Sequence, residues 1–140
     1  MIKSTIKKIT LCALILISVL TLGACSSLPD GVDEEKLKNS AYDIITMLDE
    51  GRYDEVYALF RSDVAQTVDA DNLRDTLEPV LSSIGSFTQI KRERYKTQTS
   101  EEGEEYLLCQ ITVEYSDGAA TFGVGFDYDY TLIGISVLTR

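Results

Sequence analysis

The chain has 140 residues, with 13 Lys and Arg against 23 Asp and Glu, no His, and a formal charge of −10. That length supports one domain with a single core, and the acidic balance repels phosphate backbones, which disfavours nucleic acid as a partner. Without histidine the usual general base near neutral pH and the commonest metal ligand are missing, which excludes a Ser-His-Asp triad, a Cys-His pair and a His-ligated zinc.

The first 24 residues have the anatomy of an export signal. Lys3, Lys7 and Lys8 form a positive start, and Ile9 to Leu22 is an apolar run of 14 residues, broken only by hydroxyl residues and Cys12. That run fits a signal sequence better than a permanent span, which needs about 20 apolar residues. It ends in Leu22-Gly23-Ala24-Cys25, which resembles the lipobox of bacterial lipoproteins. The resemblance implies cleavage between Ala24 and Cys25, lipidation of Cys25, and attachment to the extracytoplasmic face of the cell membrane. Two acyl chains on one cysteine give stable attachment, at roughly 0.8 kcal/mol per buried methylene. Cleavage removes three lysines and no acids, leaving a mature chain of net charge −13. Cys12 leaves with the signal and Cys25 is lipidated, so Cys109 has no disulfide partner within the chain.

Residues 25–32 read as the lipidated cysteine and a short tether, and 33–140 as the folded domain. Ser26 to Val32 carries Pro29 and an Asp30-Gly31 turn signal, and seven residues reach at most ~25 Å. Asp33 caps a helix running to about Glu50, with Leu37, Ala41, Ile44, Ile45 and Leu48 on one face and Gly51 as its stop. A second helix starts at Asp54 with Val56, Tyr57, Leu59 and Phe60 apolar, and residues 61–68 continue it or form a separate turn. Asp69 or Asp71 opens a third helix to about Ser83, with Leu73, Leu77, Val80, Leu81 and Ile84 inward. Pro79 inside that pattern predicts a kink or an early stop.

After Gly85 the apolar period changes from 3.6 to 2. Residues 86–98 read as a strand, followed by a turn over Ser100–Glu104. Residues 105–115 alternate, with Leu107, Cys109, Ile111, Val113 and Tyr115 on one face. Asp117-Gly118 predicts a type I′ hairpin turn. The next strand spans 119–127 with Phe122, Val124 and Phe126 on one face, and the last spans 131–138 with Ile133, Ile135 and Val137. Three helices followed by four hairpin-linked strands predict an α+β fold whose antiparallel sheet, curled at Gly123 and Gly125, buries one face under the helices.

The segment Glu50-Gly51-Arg52-Tyr53-Asp54-Glu55-Val56-Tyr57-Ala58-Leu59-Phe60 resembles a helix–turn–aromatic-helix pattern of a bacterial family, domain of unknown function 3887. Leu73 to Pro79 and Ile84-Gly85-Ser86-Phe87 are similar to that family's third helix and first strand, although this chain has no Trp where the family often has one. The resemblance implies a cone of the cystatin-like, nuclear-transport-factor-2 type, in which helices and a curved sheet can enclose a pocket. It carries over no catalytic residue.

In such a cone the expected pocket lining is Tyr42, Tyr57, Phe60, Phe87, Tyr115 and Phe122. An isomerase-like site could draw on Tyr42, Tyr57, Tyr115, Asp127, Tyr128 and Tyr130, with a tyrosine as oxyanion donor and an aspartate as base. The competing reading makes the tyrosines amphipathic core and rim residues. Asp127-Tyr128-Asp129 lacks the glycine and terminal Glu of a calcium loop and reads as a turn. Gly123-Val124-Gly125 sits mid-strand and is not a nucleotide loop. Cys109 alternates with core residues and reads as a small buried hydrophobe rather than a reactive thiol. Lys91 to Lys96 is the basic cluster, with Arg92, Arg94 and Lys96 on one strand face, expected to be solvated and paired with neighbouring acids. No metal and no cofactor is expected. The preferred reading is a non-catalytic, membrane-anchored module that binds a small apolar ligand or an envelope protein. The alternatives are a small isomerase or lyase and a purely structural or dimerising module. An open pocket with a buried carboxylate favours the enzyme, one without it favours binding, and a filled cone favours interaction alone.

Overall fold

The computed structural model describes residues 28–140; the signal sequence, Cys25 and the first residues of the tether lie outside the described residues. Helix α1 spans Glu34–Asp49. The Asp33 carboxylate accepts the Lys36 N–H at 3.1 Å, and Glu34 and Glu35 in the first turn complement the helix dipole. Its C-terminus closes in a Schellman arrangement. Gly51, at φ +73, donates to Leu48 O at 3.2 Å, and Arg52 donates to Met47 O at 2.8 Å. Leu37, Ala41, Ile44, Ile45 and Leu48 are buried, as their spacing predicts.

Helix α2 is Tyr53–Ala58, beginning one residue before Asp54. Residues after Phe60 form a separate single turn, α3, Ser62–Ala65, rather than a continuation. Helix α4 is Ala70–Ser82, capped by Asp69, whose carboxylate accepts the Asp71 N–H at 3.0 Å. The expected early stop at Pro79 does not occur: the helix runs three residues past it to Ser82. Pro79 is exposed, while Leu77 and Leu81 still reach the core.

The strands are β1 Phe87–Thr99, β2 Glu105–Tyr115, β3 Gly118–Phe126 and β4 Leu132–Thr139, paired in the order β1-β2-β3-β4 and antiparallel throughout. The β2–β3 hairpin lies where the sequence signal puts it, but its loop residues are Ser116 and Asp117, and neither has positive φ. A type I′ turn is therefore ruled out. Gly118 answers to packing instead: a Cβ there would stand 2.9 Å from Arg140 O and 3.1 Å from an Ile84 methyl.

A bulge separates the sequence pattern of β4 from its burial. Gly125 pairs with Gly134, whereas Phe126 pairs with Leu132, so Ile133 is the extra residue. Leu132 takes the inward position that alternation assigned to Ile133, while Ile135 and Val137 remain opposite Val124 and Phe122. On β1, irregular register between Phe87 and Gln89 and between Ile90 and Arg92 re-aims the strand. The inner face of β2 and β3 packs directly on α1 and α2, and Phe122, Val124, Ile111, Cys109 and Leu107 are 0% exposed. Side chains fill the space between helices and sheet. One buried side-chain polar atom is left unpaired among the described residues, the Tyr95 hydroxyl.

Candidate functional site

A cleft of about 680 Å³ opens at one end of the layer, where α1 and α4 stop and β1 begins. The α1–α2 turn contributes Asp49, Glu50, Gly51 and Tyr53. Helix α4 contributes Arg74, Glu78, Leu81 and Ser82, and the sheet contributes Ser86, Phe87 and Tyr115. Gly85 holds the corner at φ +87, and a Cβ there would meet Ser116 Oγ at 2.1 Å. Only glycine fits this crossing from helix to strand.

At the back of the cleft the Tyr115 hydroxyl donates to Asp49 Oδ1 at 2.7 Å. Tyr115 is 4% exposed, and Phe87, 52% exposed, stands edge-on to its ring with centroids 6.3 Å apart. Asp49 is exposed as a residue, yet its carboxyl end lies against the sheet. Burial raises its pKa above the ordinary 3.8, the Tyr115 hydrogen bond pulls it back, and the neighbouring Glu50 charge adds to the rise. Burial likewise pushes the Tyr115 phenol well up, reinforced by its hydrogen bond to Asp49 and by that residue's charge. Tyr53 is raised chiefly by burial and then by the Glu78 carboxylate, and lowered by Arg74, whose guanidinium lies 5.7 Å from its ring centre. Arg74 also faces Asp54 at 3.9 Å.

Of the six residues expected to line one pocket, Phe87 and Tyr115 share this cleft. Phe122 is instead wholly buried under the helices, and Phe60, 8% exposed, forms an isolated parallel bridge with Leu132. Tyr57 donates its hydroxyl to Ala65 O at 2.8 Å, tying α2 to α3. Tyr42 borders a shallow hollow beside Ile90–Glu93, with the Lys38 ammonium 5.5 Å from its ring centre. These four are kept apart from Tyr115 because the interior that would join them is packed.

Asp127, Tyr128 and Tyr130 lie at the other end of the sheet. Asp127 Oδ1 accepts the N–H groups of Asp129 and Thr131, each at 2.9 Å, and its other oxygen faces Arg61 at 3.4 Å. Tyr128 donates to Glu105. Arg61 gathers this end, bonding Glu104 at 2.7 and 3.0 Å and Asp63 at 2.7 and 3.0 Å. Among the described residues no group of three or more His, Cys, Asp or Glu side chains is arranged to hold a metal ion. Cys109 is wholly buried, and burial pushes its thiol up to about 12.

The basic strand face differs from expectation. Lys91 pairs with Glu114 at 3.1 Å, but Arg92, Arg94 and Lys96 stand across from Thr112, Gln110 and Leu108, none of them acidic. Gly123 and Gly125 line a trough of about 330 Å³ on the outer sheet face with Tyr106, Leu108 and Ile133. At Gly123 a Cβ would stand 2.5 Å from Ser136 Oγ and 3.8 Å from its other nearest neighbours, so a larger residue there requires the serine side chain to turn away.

Asp49, Glu78 and Arg74 were absent from the sequence candidates. Asp49 did leave a trace: Leu37, Ala41, Ile45 and Asp49 form one i, i+4 row, so an acid ends the apolar face of α1. Glu78 and Arg74 left none, because they sit off the buried face of α4, Glu78 exposed and Arg74 half-buried.

The sequence profile of the family described as "Protein of unknown function (DUF3887)" matches residues 41–135. The chain belongs to this family. No curated protein matches it. The fold is similar to the NMR structure of a protein from Ruminococcus gnavus ATCC 29149, with a TM-score of 0.68 and 22% identity. The match covers 79% of this chain and 96% of that one. At that identity the likeness speaks for the α+β fold alone: helices followed by a four-stranded antiparallel sheet.

Proposed function

We propose that this family member is a lipid-anchored, extracytoplasmic binding module, attached through Cys25, that engages a ligand or a partner's side chain in the Asp49–Tyr115 cleft. The observation that carries the binding reading is the cleft itself. It pairs an exposed aromatic ring, Phe87, with a carboxylate held off its ordinary pKa by burial. An exposed aromatic and a poised polar group are what a recognition site needs. With Phe122 and its neighbours packed between helices and sheet, the recognition role falls to this more polar opening at the rim. The ligand class that fits it has hydrogen-bond donors and a flat or apolar face.

Catalysis is the second reading, favoured by the same Asp–Tyr pair. Against it, the Tyr115 hydroxyl is turned to donate to Asp49 rather than toward the position a substrate oxyanion would take. Anchoring is supported by the lipobox Leu22-Gly23-Ala24-Cys25 and its charged, apolar lead. No described helix is long and apolar enough to cross a membrane.

Two measurements test the proposal. Mass spectrometry of the membrane fraction should find a diacylglyceryl cysteine at the N-terminus, absent in Cys25→Ser. An NMR titration of the labelled chain with a panel of small amines and aromatic alcohols should move the Asp49, Phe87 and Tyr115 resonances together. A panel that moves none of them sinks the cleft as a binding site.

A further inference from the structure

We infer that the domain is held at the membrane by the N-terminal pole of α1, with the Asp49–Tyr115 cleft at the opposite pole, so that the cleft draws its ligand from the aqueous phase rather than from the bilayer. This rests on the lipid anchor at Cys25.

The described part of the tether is seated on the domain. Leu28 and Val32 are half-buried against the core, and Val32 N–H turns back to Pro29 O at 3.3 Å. The Asp33 N–H donates to the Tyr130 hydroxyl at 2.8 Å across 97 residues, and the Lys36 ammonium lies 4.6 Å from the centre of the same ring. Tyr130 is turned to meet them by the β3–β4 corner, where its φ is +63. A free tether of seven residues would let the domain tumble; a seated one leaves three steps from Leu28 to Cys25, a reach of ~11 Å.

From that pole the elements run away in parallel. The 16 residues of α1 carry the chain about 24 Å from Asp33 to Asp49. Strand β2 runs the same way, from Glu105 beside Tyr128 to Tyr115 in the cleft, and its 11 residues span roughly 35 Å. The cleft therefore lies about 24 Å along α1 from the pole where the tether is seated.

Full-length lipidated protein on vesicles of phosphatidylcholine and phosphatidylglycerol tests this, with a fluorescence acceptor on the lipid headgroups. Asp129→Cys marks the anchor pole and Asp117→Cys the cleft pole; buried Cys109 stays unlabelled in both. Energy transfer from position 129 is expected to exceed that from 117 several-fold, and Leu28→Ser with Val32→Ser should level the two. Equal or reversed transfer in the parent overturns the inference, as does a gradient that survives undocking. Flotation separates this from failure of the anchor: protein that does not float with vesicles, or floats equally as Cys25→Ser, overturns the lipoprotein reading itself.

Discussion

Asp49 in the cleft and the Asp63–Glu104 pair at the other end are treated in opposite ways, although the cleft's own Glu50 is paired with Arg52 at 2.9 Å. Around Arg61, direct hydrogen bonds hold Asp63 and Glu104 below their ordinary values. At the cleft end burial raises Asp49, whose hydrogen bond comes from the neutral Tyr115 hydroxyl. For Asp63 and Glu104 the folded pKa is depressed. Their contribution to stability is present above the unfolded values of 3.8 and 4.5 and is lost as pH falls through the lower folded values. For Asp49 the sign reverses. Ionisation is harder in the folded state, so its charge weakens the fold above its raised pKa, and that weakening disappears below 3.8. One end is built to hold the chain together. The other carries a local disadvantage, which is where a binding site is to be sought.

The comparison can be broken most forcefully at the cleft corner. Gly85→Ala forces a Cβ into Ser116 at positive φ and should cost about 1–3 kcal/mol, read from urea denaturation. Arg61→Ala should cost about 1 kcal/mol, as expected for a partly exposed ion-pair network, and the loss should shrink in high salt. Thermal melts at two ionic strengths check it; a loss unchanged by salt would mean packing, not charge, holds that end. Asp49→Asn runs the other way, raising the melting temperature slightly at neutral pH while abolishing any shift of the cleft resonances by ligand. A clear drop in stability would show that Asp49 serves the fold. The smallest effect sharpens the sign argument: in Tyr115→Phe the hydrogen bond that lowers Asp49 is gone, so a carbon-13 carboxyl titration should place Asp49 higher than in the parent.

How much could be read in advance varies by element for physical reasons. The apolar face of α1 and the alternation of β2 were legible residue by residue, because one helix face and one strand face are buried whole. The β4 pattern misled at Ile133, since a bulge swaps the faces and leaves no mark in alternation. The predicted pocket lining assumed a hollow interior, and Phe122 packs that interior instead.

By itself the sequence determined the α+β order of elements, the cap at Asp33, and the inward faces of α1, β2 and β3, while it left the start of α4 open between Asp69 and Asp71. Each follows from local chemistry and periodicity over neighbouring residues. Tertiary structure alone decided that Phe122 packs the space between helices and sheet, that Asp49 meets Tyr115 across 66 residues, and that Asp33 meets Tyr130 across 97. The reason is that a polar group's partner depends on which element ends arrive together, and no local pattern encodes that meeting.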